Sequence, residues 1–249
     1  MMILAGKIAF VTGSNAGLGR SIVDHLAAAG ARGIGFDISD EQPALPDGWQ
    51  PLQGDVADNA SVASAIAKIE QDYGRLDIVV ANAGLVPPWR ETEYLDFDEW
   101  DRVFAVNVRG VAATVSLAIP LMRKTGGSII AMASLNSHRA HPRQCLYTAT
   151  KHAVLGIVRS VALDAGRFGI RVNALGPGPV ATEALLQRVQ ARVLDGGPAV
   201  QDALDAFASD TALGRMVTAD DVARVAVFLA SEQSGGVTGQ LYPIDAGLP

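Results

Sequence analysis

The sequence predicts an α/β fold: a single-domain, doubly wound sheet of about seven parallel strands with helices on both faces. Two observations support this prediction. Short apolar runs alternate along the chain with segments of helical periodicity, which is typical of parallel strands joined by helical crossovers. In addition, 249 residues, of which 49% are hydrophobic, suffice for one large core, so residues 1–249 are expected to form one domain.

Each strand is predicted from a short apolar run, and each helix from a longer segment with apolar residues three or four positions apart. The predicted strands are 8–12, 33–37, 50–56, 76–82, 128–134, 170–175 and 241–245. The predicted helices are 18–29, 59–73, 97–122, 146–168 and 219–229. In such a sheet the ligand is expected at the carboxyl ends of the strands.

The connection between the second and third strands is unusually short. Only seventeen residues separate Asp37 from Asp55, and Pro43 and Pro46 interrupt them. Because proline disrupts helices, little or no regular helix is expected there.

A glycine-rich turn, Thr12-Gly13-Ser14-Asn15-Ala16-Gly17-Leu18-Gly19, lies between the first predicted strand and the first helix. Gly13 allows a tight turn, Gly17 allows close approach of the main chain to a pyrophosphate, and Gly19 allows the helix to pack near the strand. The N–H groups at the helix N-terminus then bind the anion. An ordinary glycine-rich loop is the alternative, but the strand before it, the helix after it and the later acid favour a dinucleotide site.

That acid is Asp37, which ends the second apolar run twenty-four residues after Gly13. A carboxylate there can accept hydrogen bonds from both hydroxyls of an adenosine ribose, and it repels a 2′-phosphate. Neither Ser14 nor Asn15 supplies a compensating cation. The sequence therefore predicts NAD rather than NADP as the cofactor, with a plain turn role for Asp37 as the alternative.

Tyr147 and Lys151 are four residues apart in a predicted helix. They lie on the same helix face, so the ammonium of Lys151 is expected to lower the pKa of the Tyr147 phenol from about 10. A phenol with a lowered pKa can transfer protons near neutral pH.

Taken together, these motifs resemble the short-chain dehydrogenase/reductase family over nearly the whole chain. The family's motifs correspond to the turn at 12–19, Asp55, Asn82-Ala83-Gly84, the catalytic set Asn107, Ser134, Tyr147 and Lys151, Pro177-Gly178, and Val237-Thr238-Gly239. Two departures are mild: Ala81 stands where many relatives have Asn, and Asp245-Ala246-Gly247 replaces Asp-Gly-Gly.

The resemblance implies a Rossmann-like fold and NAD-dependent interconversion of a secondary alcohol and a ketone by hydride transfer. Tyr147 is then the general base in oxidation and the acid in reduction. Lys151 favours the phenolate and holds the nicotinamide ribose, Ser134 hydrogen-bonds the reacting oxygen, and Asn107 supports a water linked to Lys151. The expected cofactor-binding residues are Gly13, Asn15, Gly17, Leu18, Gly19, Asp37, Asp55, Val56, Asn82, Ala83, Gly84, Tyr147, Lys151, Pro177, Gly178, Val180 and Thr182.

The substrate pocket of this family is formed partly by the residues before the catalytic tyrosine, and here the loop 135–146 is strongly polar. Asn136, His138 and Gln144 are expected to bind hydroxyls, which favours a small polyol, sugar or cyclic alcohol as substrate. Arg139 and Arg143 either meet a carboxylate or face solvent.

Residues 182–214 are expected to form a substrate lid, with an amphipathic helix interrupted at Gly196-Gly197-Pro198. The alternative is a fixed surface helix. Trp89, in the loop after the fourth strand, either borders the pocket or covers the core.

Composition excludes several kinds of partner. A net charge of −6 argues against nucleic acid, and one cysteine, Cys145, rules out an internal disulfide and a multi-cysteine metal site, so no metal is expected. No basic leader and no uncharged run of eighteen apolar residues is visible, so a cytoplasmic protein with no membrane partner is expected. The helices near 100–122 and 146–168 are apolar on nearly every face, which predicts a subunit interface, and the resemblance implies a homotetramer.

Two alternative functions remain. A reductase of 3-oxoacyl thioesters shares the four catalytic residues, but such enzymes usually take NADPH, which Asp37 opposes, and they bind an acidic carrier protein. A non-catalytic NAD-sensing protein of the same fold is less consistent with an intact catalytic set.

Overall fold

The structure is a computed structural model that describes residues 2–41, 43–194 and 196–249. Its centre is a parallel sheet in the order β3-β2-β1-β4-β5-β6-β7. The strands are β1 Ile8–Thr12, β2 Arg32–Asp37, β3 Trp49–Gln53, β4 Ile78–Ala81, β5 Gly127–Met132, β6 Ile170–Pro177 and β7 Leu241–Ile244. The predicted number and direction of the strands are confirmed, and the doubly wound α/β class with them.

The helices lie between the strands, as the periodicity predicts. They are α1 Gly17–Ala28, α2 Asn59–Tyr73, α3 Phe97–Phe104, α4 Val111–Met122, α5 Cys145–Ala165, α6 Glu183–Leu194, α7 Val200–Ser209 and α8 Ala219–Ala230. The predicted helix 97–122 is a continuous helical run in which a π-helical segment, Ala105–Gly110, separates α3 from α4. Several predicted strands are too long at their carboxyl ends, because the chain leaves the sheet there to form the loops of the cleft described below.

An apolar layer covers each face of the sheet, and for this reason the strands are continuous apolar runs in the sequence. In β1, Ile8 and Phe10 point into the layer formed with α2, α4 and α5. The alternate residues Ala9 and Val11 point into the layer formed with α1 and α8. Helices therefore lie on both faces of the sheet.

The connection from β2 to β3 contains no helix among its described residues, as predicted; Gln42 lies outside the described part. Its end is anchored by Trp49, whose Nε1 donates to the carbonyl of Ala31 at 3.1 Å. The carboxyl end of β2 is consequently not covered by a crossover helix.

The helical run Phe97–Met122 is long and apolar enough to cross a membrane by length and composition. Its α4 half, however, buries Val111, Val115 and Ala118 in the same apolar layer as the sheet, which is what a core helix does. Beyond the core, apolar surface remains on the neighbouring helix α5, where Leu163 is 85% exposed. The homotetramer stays a prediction.

Candidate active site

The carboxyl ends of the central strands open into a cleft of about 610 Å³. Its walls come from the glycine-rich turn after β1, the loop after β4, the residues after β5, the start of α5, the residues after β6, and the helices α6 and α7. The strand order reverses direction between β1 and β4, and ligands of doubly wound sheets bind at such a switch point.

The glycine-rich turn requires glycine for steric reasons. A Cβ at position 19 would lie 1.8 Å from the carbonyl oxygen of Gly13, and a Cβ at position 13, where φ is +67°, would lie 2.9 Å from the Ala83 Cα. The Asn82 amide fixes the turn by donating to the carbonyl oxygens of Thr12 and Gly13 at 2.9 and 3.0 Å. The loop after β4 thus holds the glycine-rich turn in place.

The N-terminus of α1 suits a bound anion. No side chain caps the helix, its first turn contains no acidic residue, and Gly17, Leu18 and Gly19 line the cleft. At Gly17, where φ is +55°, a Cβ would meet nothing within 4 Å, so this side of the turn is open. The free N–H groups and the helix dipole are the features that bind a pyrophosphate. The turn therefore fits a dinucleotide.

The predicted adenosine-binding residues lie beside this turn rather than in the cleft lining. The Asp37 carboxylate accepts the N–H of Asn15 at 3.0 Å and the N–H of Ser39 at 3.1 Å, which fixes it against the turn. Asp55 accepts the N–H of Ala57 at 2.8 Å, and Val56 packs against Gly110. Each carboxylate keeps lone pairs for further donors.

Tyr147, Lys151 and Ser134 converge in the cleft. The Lys151 Nζ lies 5.5 Å from the centre of the Tyr147 ring and donates to the carbonyl of Met132 at 2.8 Å. The Ser134 hydroxyl faces the Tyr147 phenol in the cleft and lowers the pKa of the phenol. A reacting oxygen placed between Ser134 and Tyr147 would have two hydroxyl partners.

The expected lowering of the Tyr147 pKa by Lys151 is wrong. Burial raises the pKa of Tyr147 above 10.0, and it outweighs the opposite effects of the Ser134 hydroxyl and the Arg188 charge. Lys151 is only 5% exposed, and burial lowers its pKa to about 8. The physical reason is desolvation, which disfavours the charged form of both groups.

Asn107 lies in the π-helical segment and is buried. Its side chain accepts the N–H of Leu85 at 2.7 Å and donates to the Leu85 carbonyl at 2.8 Å, with a longer contact of 3.4 Å to Thr150. It thereby connects the loop after Asn82-Ala83-Gly84 to α5, next to Lys151. The predicted water at Asn107 stays a prediction.

The predicted substrate residues separate into two groups. Asn136 and Gln144 line the cleft and are joined by a hydrogen bond of 3.1 Å. His138 is exposed and does not line the cleft, because it follows a short 3-10 helix that directs the chain outward; His141 lies there instead. Neither Arg139 nor Arg143 lines the cleft.

Those two arginines have other partners. Arg143 is paired with Glu91 at 3.9 Å, and Arg139 donates to the carbonyl of Pro249. No group of three or more His, Cys, Asp or Glu side chains among the described residues is arranged to hold a metal ion.

The described part of residues 182–214, the predicted lid, contains two helices rather than one. Pro177, Gly178, Val180 and Thr182 follow β6 along the cleft and lead into α6. The Gly196-Gly197-Pro198 break then separates α6 from α7, with Asp195 outside the described residues. Movement of the lid stays a prediction.

Arg188, which sequence analysis missed, projects from α6 into the cleft, where its guanidinium carbon lies 4.0 Å from the centre of the Trp89 ring. Trp89 therefore borders the cleft. A signal existed in the sequence, because Ala184, Leu185 and Arg188 share one helix face by their spacing.

A doubly wound parallel sheet with a cleft at this switch point is a Rossmann-like fold. The fold and the site together define an oxidoreductase. A family model described as enoyl-(acyl carrier protein) reductase matches residues 13–249. The chain belongs to the short-chain dehydrogenase/reductase family.

Individual relatives differ in substrate. The chain is 32% identical to a D-β-hydroxybutyrate dehydrogenase of Cupriavidus necator, over 98% of each chain. It is also 32% identical to a 3-oxoacyl-(acyl-carrier-protein) reductase of Thermotoga maritima, over 99% of each chain. A carveol dehydrogenase from Mycobacterium avium, solved in complex with NAD, superposes with a TM-score of 0.90 at 31% identity, over 98% of each chain.

Proposed function

We propose that the protein is an NAD-dependent oxidoreductase that interconverts a secondary alcohol and a ketone by hydride transfer. The observation that carries this proposal is the convergence of Tyr147, Ser134 and Lys151 in a cleft that begins at an uncapped, glycine-rich helix N-terminus. The glycine-rich turn, Asp37 and Asp55, Asn82-Ala83-Gly84, and the residues after β6 would hold the dinucleotide.

When bound, the nicotinamide supplies the hydride acceptor or donor. Tyr147 takes the hydroxyl proton of the alcohol in oxidation and returns a proton to the ketone oxygen in reduction. Ser134 donates to the same oxygen and holds it beside the phenol. Lys151, with its charge close to the phenol, stabilises the phenolate that forms when Tyr147 loses its proton.

The favoured substrates are a small polyol, a sugar or a cyclic alcohol. Asn136 and Gln144 support this proposal, because their amides line the cleft and bond each other, and a hydroxylated ligand can exchange hydrogen bonds with them. The carveol dehydrogenase similarity is consistent with an alcohol substrate.

A 3-oxoacyl-thioester reductase is the second candidate, since one relative carries that name. The discriminating experiment is the initial rate of formation of reduced nicotinamide with NAD and with NADP. The alcohols would be polyols, aldoses, cyclic alcohols and 3-hydroxyacyl thioesters. Turnover with NAD on a hydroxylated or cyclic alcohol is expected, and preference for NADP on thioesters would favour the second candidate. Absence of any nicotinamide-linked turnover would favour a non-catalytic protein.

Cofactor choice is expected to depend on Asp37. Replacing it by Ser, together with Ile38→Arg, should shift the ratio of kcat/KM values for NADP and NAD by at least about 100-fold toward NADP. Like charges brought together cost several kcal/mol, and each 1.4 kcal/mol is tenfold. Ile38 is 67% exposed, so an arginine fits there.

The control for this experiment is Asp40→Ser, which removes an exposed acid three residues beyond Asp37. It should leave the preference unchanged. An Asp37→Ser/Ile38→Arg enzyme that still prefers NAD would contradict the role of Asp37.

The rate of oxidation is expected to rise with pH. Burial raises the pKa of Tyr147 and lowers the pKa of Lys151 to about 8. Near neutral pH both side chains are therefore protonated, and this form of the pair donates a proton in reduction. As pH rises through about 8 the pair loses one proton and can accept one from an alcohol. We expect kcat/KM for oxidation to rise about tenfold per unit below pH 8 and then level off.

Rate profiles from pH 6 to 10 in both directions test this expectation. Reduction should become slower over the range in which oxidation becomes faster. An oxidation rate that is flat between pH 6 and 8 would show that the pair does not carry the proton.

A further inference from the structure

Arg188 has unmet hydrogen-bonding capacity inside the cleft. Its Nε and Nη2 are fully enclosed, and neither has a hydrogen-bond partner in the described part of the chain. Because buried charged donors are strongly destabilising when unpaired, natural proteins pair them or keep them for a ligand. The packing of α6 therefore does not by itself account for the unpaired nitrogen atoms of Arg188.

Charged groups nearby do not supply a partner. Glu183 and Asp210 line the same cleft, yet neither forms an ion pair with Arg188 among the described residues. Burial lowers the pKa of Arg188, and the Tyr147 phenol acts in the opposite direction, so the two side chains interact electrostatically. A guanidinium nevertheless stays charged in proteins. The cleft thus holds a permanent positive charge close enough to act on the catalytic phenol.

A purely structural role explains only part of this geometry. Arg188 could hold α6 against Trp89 by a cation–π contact, and Arg192, one turn later, lies 5.7 Å from the same ring. Of the two, only Arg188 lines the cleft and has enclosed nitrogen atoms without partners. Contact with the ring occupies a face of the guanidinium and leaves its N–H groups for an acceptor.

We propose that Arg188 binds a carboxylate of the substrate, so that the enzyme acts on a hydroxy acid and its oxo acid. A planar carboxylate can accept two parallel N–H bonds from a guanidinium, which is the strongest neutralising contact for such a group. This proposal rests on the proposed function and narrows its substrate to an alcohol that also carries a carboxylate, because it places the carbinol of the same molecule at Tyr147.

The charges in the cleft favour a carboxylate over a phosphate ester. The other cation that lines the cleft, Lys151, already donates to the Met132 carbonyl and lies beside the phenol. One guanidinium balances one negative charge, whereas a phosphate monoester carries nearly two near neutral pH. A monoanionic substrate is therefore the better match.

The kinetic test compares hydroxy acids with their carboxamides. The panel contains 3-hydroxybutanoate, 4-hydroxypentanoate and 3-hydroxycyclohexanecarboxylate, assayed with saturating NAD or NADP, whichever supports turnover. For the best substrate, the wild-type enzyme should prefer the carboxylate at least about 100-fold in kcat/KM. Arg188→Gln should reduce this preference to less than about fivefold, mainly by raising KM, and Arg188→Lys should restore part of it because it keeps the charge without the planar fork.

Arg192→Gln is the matched control, since it removes the same charge from the same helix near the same ring. It should leave the carboxylate preference intact. If the wild-type enzyme does not prefer carboxylates, or if Arg188→Gln keeps the preference, Arg188 does not recognise the substrate anion. Turnover of neutral alcohols alone would then leave the proposed function standing and reject this proposal.

A binding measurement decides the matter even without turnover. Calorimetry on the cofactor-saturated protein would use cyclohexanecarboxylate, cyclohexanecarboxamide and cyclohexyl phosphate, none of which carries a hydroxyl to oxidise. We expect the carboxylate to bind at least about tenfold more tightly than the carboxamide, with the difference lost in Arg188→Gln and kept in Arg192→Gln. Equal affinities, or tightest binding of the phosphate, would overturn the assignment.

Discussion

Tyr147→Phe is expected to lower turnover at least about 1,000-fold in both directions while changing the affinity for NAD by less than about twofold. The substitution keeps the ring that packs near Lys151 and removes only the hydroxyl that transfers the proton. General acid–base groups contribute about 100- to 10,000-fold, and the phenol lines the cleft together with Ser134. Steady-state rates and a titration with NAD measure the two effects separately.

Tyr242→Phe provides the control for this variant. Tyr242 lies in β7, packs against Phe228 and does not line the cleft, so the same loss of a hydroxyl there should leave turnover within about twofold. A Tyr147→Phe enzyme that retains more than a few per cent of the wild-type rate would remove Tyr147 from the proposed mechanism.

Gly19→Ala is expected to lower the free energy of unfolding by about 3 kcal/mol and to weaken NAD binding at least about 30-fold. The added Cβ would lie 1.8 Å from the main-chain oxygen of Gly13, so the turn itself must move, and overpacking of this kind costs about 1–3 kcal/mol or more. Both quantities change together because the atoms that must move are those expected to surround the pyrophosphate. Urea denaturation and a NAD titration measure them.

Gly236→Ala is the matched control. Gly236 lies in an exposed turn outside the predicted subunit interface, where an added Cβ meets nothing within 4 Å and φ is outside the left-handed region. This variant should be as stable as the wild-type protein or slightly more stable. If Gly19→Ala behaved like Gly236→Ala, the collision of the added Cβ with the turn would be refuted.

Features with a local structural requirement are predictable from the sequence. About twenty consecutive residues encode the first strand, the glycine-rich turn and the first helix. A Cβ at Gly13 or Gly19 would collide with main-chain atoms, so these two glycines mark the position of the turn. The strand pattern was also sufficient, because both faces of β1 are buried and its residues are therefore apolar without alternation.

Properties that depend on the surroundings of a side chain are not predictable from the sequence. Helical spacing correctly places Lys151 beside Tyr147, but the direction of the Tyr147 pKa shift depends on how much water both groups lose. His138 has the residue type of a binding group, yet it is exposed and lies outside the cleft. For Arg143 the sequence left two alternatives open, and the structure pairs it with Glu91 outside the cleft.

The sequence by itself determined the fold class and the glycine-rich turn, because both follow from short-range geometry and the burial pattern. The expected catalytic residues came from the resemblance of its motifs to the family. Only the tertiary structure decided which charge enters the cleft. Arg188 and Trp89 are ninety-nine residues apart in the chain and meet only when α6 folds over the loop after β4. The enclosure that leaves the Arg188 nitrogen atoms without partners is a property of the packed cleft, and residue spacing does not encode it.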